Sequence, residues 1–129
     1  MNNKGFTLIE LLVTIMLLSV ISVISFVSVN SAIVKSKKKN CESVVTNIKS
    51  ATMEYVSDHR YDNTFSTGTN NINAKVLVDN KYLSAPIYDP FTKNEVNPSD
   101  IVINFVLDSN YIARGINIAS SVFSNCESA

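Results

Sequence analysis

The chain has 129 residues, 46% of them apolar, and its 11 basic side chains balance 11 acidic ones. That length suits a single domain. A net charge of zero argues against a nucleic-acid binder, which carries a basic excess. The apolar residues are densest in the first 34 positions. The remainder must build its core from roughly 90 residues, a size at which a covalent staple helps.

Residues 1–5 are short and polar, with one charge at Lys4. From Phe6 to Val29 the only ionisable side chain is Glu10, and no Gly or Pro interrupts the run. As a helix these 24 residues would reach about 36 Å, enough to cross a hydrocarbon core of about 30 Å. The leader is too short for an ordinary secretory signal, and no small-x-small cleavage site follows. A plain signal anchor fits the length but gives no reason for Glu10. A carboxylate in an apolar span is costly. Either it stays hydrated at the interface, or it awaits a cation from another subunit.

The stretch Lys4-Gly5-Phe6-Thr7-Leu8-Ile9-Glu10-Leu11-Leu12 resembles the class III leader and mature start of type IV pilins and pseudopilins. The resemblance implies cleavage between Gly5 and Phe6 by a prepilin peptidase on the cytoplasmic face, and N-methylation of Phe6. It also implies that Glu10 neutralises the terminal amine of a neighbouring subunit during assembly. The physics is compatible, because a charge in an apolar filament core is expensive unless it meets its opposite. A wrong register would leave it unpaired.

Two features depart from the family pattern. Many members carry a Gly or Pro midway along this helix; here neither occurs between residues 6 and 34. Instead Ser19, Ser22, Ser25 and Ser28 recur every three residues, either as small residues for close helix packing or as simply tolerated ones. Then Lys35, Lys37, Lys38 and Lys39 follow the span, and the positive-inside rule would hold them in the cytoplasm. The resemblance implies the opposite topology. The leader pattern is more specific than a charge count and takes precedence.

Between Cys41 and Tyr55 apolar residues return at three- and four-residue spacing, with Val44, Ile48, Ala51 and Tyr55 as a stripe. One helix is expected from about 6 to 57; the alternative is two helices joined near residues 36–40. Residues 58–71 read as a loop, rich in Asp, Asn, Ser and Thr. A short helix is expected around 73–80, with Ala74, Leu77 and Val78 inward. Pro86 and Pro90 make the next segment an extended connector. Its Tyr82-Leu83…Pro86…Asp89-Pro90-Phe91 is similar to the stretch after the spine in many pilin-like proteins. Ile101–Leu107 and Tyr111–Ile118 read as an antiparallel hairpin, with a third short strand between Ile87 and Val96.

The fold class expected is thus α+β and type IV pilin-like, a long N-terminal helical spine packed on a small antiparallel sheet head. Its parts are a leader at 1–5, a membrane or filament-core half at 6–34, and a head at 35–129. Cys41 and Cys126 form an even, widely spaced pair beside a membrane-directing segment. That suggests a disulfide outside the cytoplasm, the alternative being two buried thiols.

Chemistry-bearing clusters are sparse. His59 stands beside Arg60 in a loop and reads as a solvated surface residue. No nucleophile elbow, Walker loop or zinc-ligand pattern is present. The carboxylates at Asp89, Glu95, Asp100 and Asp108 match no calcium loop. No enzyme activity, cofactor or metal is therefore expected. Residues 35–49 carry five lysines against one glutamate, whereas from Glu54 onward nine acidic residues face five basic ones. A basic collar below an acidic head offers complementarity between subunits or a contact with anionic headgroups, or is only a solvated run.

The function expected is a structural subunit of a type IV pilus-like filament, in the membrane as precursor and then at the cell surface. Its partners are other pilin subunits, the prepilin peptidase and the membrane, with no nucleic acid. Alternatives are a pseudopilin of a type II secretion or DNA-uptake machine and, in another class, a monomeric signal-anchored surface binding module.

Overall fold

The computed structural model describes residues 5–119, 122, 123 and 126. It divides into two compact units, Met1–Ser36 and Lys37–Ala129. One helix, α1, runs Leu8–Asp58, so the alternative of two joined helices does not occur. The absence of Gly and Pro explains why: nothing removes an i→i−4 bond or frees the backbone.

Within the first unit, the apolar side chains of α1 are exposed around the whole circumference, from Leu8 through Leu17, Val27 and Val34. A helix apolar on all sides needs an apolar surrounding rather than one sheet to cover it.

The second unit holds the remaining elements. β1 is Gly68–Asn73, α2 is Ala74–Asp79, β2 is Ile87–Tyr88, β3 is Glu95–Val96, β4 is Val102–Leu107 and β5 is Ala113–Ile118. A 3-10 turn at Pro98–Asp100 precedes β4, and the side chain of Asn97 caps it by accepting from Ser99 N–H at 3.0 Å. β1, β4 and β5 form one antiparallel sheet in the order β1-β4-β5, whereas β2 and β3 pair only with each other.

The sheet and α1 meet in two neighbouring hydrophobic clusters that share the partly buried Phe65, Ile72 and Ile116. To the first, α1 brings Ile48, Ala51 and Tyr55; from the sheet come Ile103 and Ile118; Ala74 and Leu77 of α2 close it with Ile87, Ile101 and Phe123. In the second, Val56 packs with Phe105, Leu107 and Ala113. On β4 burial alternates strictly, with Ile103, Phe105 and Leu107 inward, the two-residue period of a half-buried strand. Ala74 and Leu77 are fully buried, while Val78 is only half-buried. The expected α1 stripe also omitted Thr52, which is fully buried. Its hydroxyl donates to Ile48 O at 2.8 Å, so the buried group is satisfied within the helix.

Three expectations need correction. The loop read at 58–71 ends earlier than expected, because Gly68–Asn73 is strand β1, paired along its whole length to β4 from Gly68 opposite Leu107 to Asn73 opposite Val102. Its sequence, Gly-Thr-Asn-Asn-Ile-Asn, has low strand propensity. The partner strand supplies the ladder, and Ile72 opposite Ile103 is its main apolar contribution. The short strand between Ile87 and Val96 is instead a two-residue pair, β2 with β3, outside the main sheet. His59 is not a solvated loop residue, because its ring packs against that of Tyr55.

Candidate assembly segment

The start of α1 is built by its own sequence. Leu8 is the first helical residue, so Thr7 caps the helix and Glu10 occupies its third position. Glu10 N–H donates to Thr7 Oγ1 at 3.3 Å. Thr7 N–H donates in return to Glu10 Oε2 at 3.2 Å. This reciprocal pair is a capping box, and it satisfies two of the amides that a helix leaves unpaired at its start. The helix N-terminus also favours a carboxylate at this place. Glu10 therefore has a local partner that the sequence reading missed, although the spacing Thr7-x-x-Glu10 before an apolar run signals it. The bond to Thr7 engages one carboxylate oxygen, and the second has equal capacity to accept. Phe6 beside it is 90% exposed.

Along the apolar half, hydroxyls turn inward on the helix. Thr14 Oγ1 donates to Glu10 O, Ser19 Oγ to Met16 O, Ser22 Oγ to Leu18 O and Ser25 Oγ to Ile21 O, all at 2.7–2.8 Å. Each hydroxyl thus enters an apolar surrounding already bonded. Steps of three residues drift about 60° around a helix of 3.6 residues per turn, so these serines do not share one face. That favours tolerated serines over a packing stripe. By length and composition α1 is capable of crossing a membrane.

In the second unit, Cys41 is 3% exposed on α1 and is joined by a disulfide to Cys126. Their Cα atoms lie 5.7 Å apart, in the ordinary range for a bridge. Cys126 N–H donates to Phe123 O at 2.9 Å, and the Phe123 ring joins the core. The bridge therefore ties Cys126, and with it Phe123, to α1. Lys37 lies over the Phe91 ring at 5.9 Å, a cation–π contact, while Lys38 and Lys39 are exposed.

His59 packs in an aromatic group just past the end of α1. Its ring lies 4.2 Å from that of Tyr55 and 6.4 Å from that of Tyr82, and its Nδ1 is 2.9 Å from Tyr55 O. A carbonyl only accepts, so Nδ1 carries the proton. Phe65 meets Tyr55 edge-on at 6.0 Å and Phe105 at 5.5 Å. Tyr82 OH donates to Asp58 Oδ2 at 2.7 Å, and this bond to a carboxylate pushes the Tyr82 pKa up to about 12.

The hairpin between β4 and β5 rests on Asp108. One carboxylate oxygen accepts from Asn110 N–H and Ile112 N–H, both at 2.9 Å, and the other from Arg114 Nε at 3.0 Å. The Ile112 amide first, then Arg114, holds the Asp108 pKa below the usual carboxylate value. Tyr111 sits at φ 58°, and Gly115 at φ 59° lies where the register to β4 shifts. Among the described residues no group of three or more His, Cys, Asp or Glu is placed to hold a metal. Asp89 is buried, and its carboxylate accepts from Phe91 N–H at 2.8 Å, so it shapes the turn after β2.

Residues 1–26 match the family described as the prokaryotic N-terminal methylation motif. The chain carries this motif. Gly5, Phe6 and Glu10 all fall inside the match. The chain is also similar to a ComG operon protein 3 homolog of Bacillus licheniformis, 36% identical over 59 residues. The alignment covers 46% of this chain and 61% of that relative, so the chain spans about three-fifths of the relative's length. No solved structure matches. The helix packed on a small antiparallel sheet is consistent with an α+β fold of the pilin-like type, and the methylation motif stands at the head of that helix.

Proposed function

We propose that the chain is a structural subunit of a type IV pilus-like filament. Its precursor lies in the membrane through α1. A prepilin peptidase cuts between Gly5 and Phe6, the new terminus is methylated at Phe6, and the subunit passes into a filament at the cell surface. The observation that carries this reading is the segment Gly5-Phe6-Thr7-Leu8-Ile9-Glu10, within the matched motif, at the head of a helix whose first, apolar half is uncovered all round. Such a surface needs lipid before assembly and neighbouring helices after it. Cleavage at Gly5 would place a free amine four residues from Glu10, and the second carboxylate oxygen is suited to the same group on a neighbouring subunit.

Glu10 then has two separable duties, the cap and the charge. Glu10→Gln keeps an oxygen that accepts from Thr7 N–H but loses the charge, whereas Glu10→Ala loses both. Both variants are expected to insert and be cleaved, and both to fail in filament incorporation, scored by the sheared surface fraction. Normal incorporation of Glu10→Ala would remove the assembly role of Glu10, and wild-type protein that stays in the membrane and never enters the sheared fraction would remove the filament reading in favour of a monomeric, membrane-anchored binding module. Incorporation of Glu10→Gln alone would assign Glu10 to capping only.

A second reading is a pseudopilin of a DNA-uptake machine, favoured by the similarity to the ComG operon protein 3 homolog. Deleting the coding gene separates the two: loss of transformation with no loss of surface filaments supports the second reading.

A further inference from the structure

The register of the three-stranded sheet gathers residues far apart in the chain onto its solvent side. Asn71 stands opposite Asn104, and Asn104 stands opposite Asn117. All three are exposed. A row of three carboxamides therefore crosses every strand of the sheet, at the interstrand spacing of about 4.8 Å. On β4, Val102 and Val106 flank Asn104 at two residues on either side, about 6.8 Å along the strand, and are 39% and 46% exposed. Thr69 lies opposite Val106 and Asn73 opposite Val102. The one charge in these rows is Arg114, opposite Val106, and its Nε is already bonded to Asp108.

This chemistry selects among partners. A phosphate polymer is held by several lysines and arginines that shed counterions, and this face offers one arginine, Arg114, with its Nε on Asp108. An anionic lipid surface needs the same charges. A protein interface is centred on large buried anchors such as Tyr, Trp or Arg, and the row has carboxamides at its centre. Each carboxamide presents two donors and one acceptor without charge. That set matches neighbouring hydroxyl groups, which also both donate and accept, and the flanking valines match the apolar C–H faces of sugar rings.

We propose that this sheet face binds a neutral, hydroxyl-rich glycan strand. Asn71, Asn104 and Asn117 hydrogen-bond its hydroxyls, and Val102 and Val106 seat its ring faces. The strand runs across the sheet, along the row of carboxamides. The contact carries no ion pair and is insensitive to salt.

The test uses the full chain in detergent micelles, titrated with chitotetraose and followed by the NMR signals of side-chain NH2 groups. The signals of Asn71, Asn104 and Asn117 are expected to shift together along one saturating curve. Its midpoint is expected to stay unchanged between about 50 mM and about 500 mM NaCl, a range over which screening removes charge contacts. Asn104→Leu is expected to weaken binding about tenfold or more, and Asn117→Leu, at the sheet edge, to weaken it less. The proposal is overturned by the absence of a saturable shift, by binding that collapses at the higher salt, or by wild-type affinity in both variants with their backbone spectra intact.

Discussion

Asp108 shows how much one side chain can hold. Its two oxygens fix two turn amides and the Arg114 guanidinium, and the turn carries Tyr111 in the left-handed region, a conformation that a bulky residue adopts only under constraint. Because its folded pKa is lowered, the contribution of Asp108 to stability is fully present above the ordinary carboxylate value of about 4 and is lost as pH falls through the lower folded value. Thermal unfolding in micelles is therefore expected to lose part of its dependence on pH below about 4 in Asp108→Asn, while the variant is less stable than wild type at neutral pH. An unchanged acid profile would assign the acid sensitivity to other carboxylates. Glu10 and His59 teach a related lesson. The sequence showed Glu10 as an unexplained charge in an apolar run, and the Thr7 partner that caps the helix with it was three residues away in plain view. His59 was legible only in part: its nearest ring, Tyr55, stands four residues back at helical spacing, whereas the arrival of Tyr82 from a distant segment is encoded by no local pattern.

At the scale of elements, legibility followed burial. α1 was readable because its apolar run and stripe are continuous and no residue breaks them. β4 was readable because Ile103, Phe105 and Leu107 alternate with exposed positions. β1 was not, since a strand of Gly, Thr and Asn owes its conformation to its partner rather than to its own propensity. The same asymmetry governs mutation. Phe105 is 1% exposed and meets Phe65 edge-on, so Phe105→Ala is expected to cost about 3–5 kcal/mol. Val106, the next residue, points to solvent, and Val106→Ala is expected to stay within about 0.5 kcal/mol. Denaturant unfolding of the two variants under matched conditions checks the contrast, and similar losses would contradict the strand register.

For the molecule as a whole, the bridge between Cys41 and Cys126 closes a loop with a sequence separation of 85. The loss of unfolded-chain freedom on closing a loop of that length corresponds to about 4–5 kcal/mol as an upper figure. Reduction is expected to lower the unfolding midpoint of the second unit clearly, measured with and without reductant, and a Cys41→Ser, Cys126→Ser double variant is expected to match the reduced protein. An unmoved midpoint would mean that the core alone holds the fold. The first unit has no such covalent tie and no core of its own among its described residues. Its long apolar surface has a purpose only in contact with lipid or with other helices, and everything proposed for the chain's function turns on how that segment begins. The segment from Gly5 to Glu10 has accordingly gained a second layer. It opens a motif-bearing apolar helix, and it folds its own cap around the carboxylate proposed to receive a neighbour's amine.

Maturation at that segment is read from intact-mass and fragment spectrometry of the protein recovered from its native cells. A chain that starts at Phe6 and carries one added methyl group on its terminal nitrogen is expected. A chain that still begins with the leader residues before Phe6, or one whose terminal amine at Phe6 is unmodified, would contradict it.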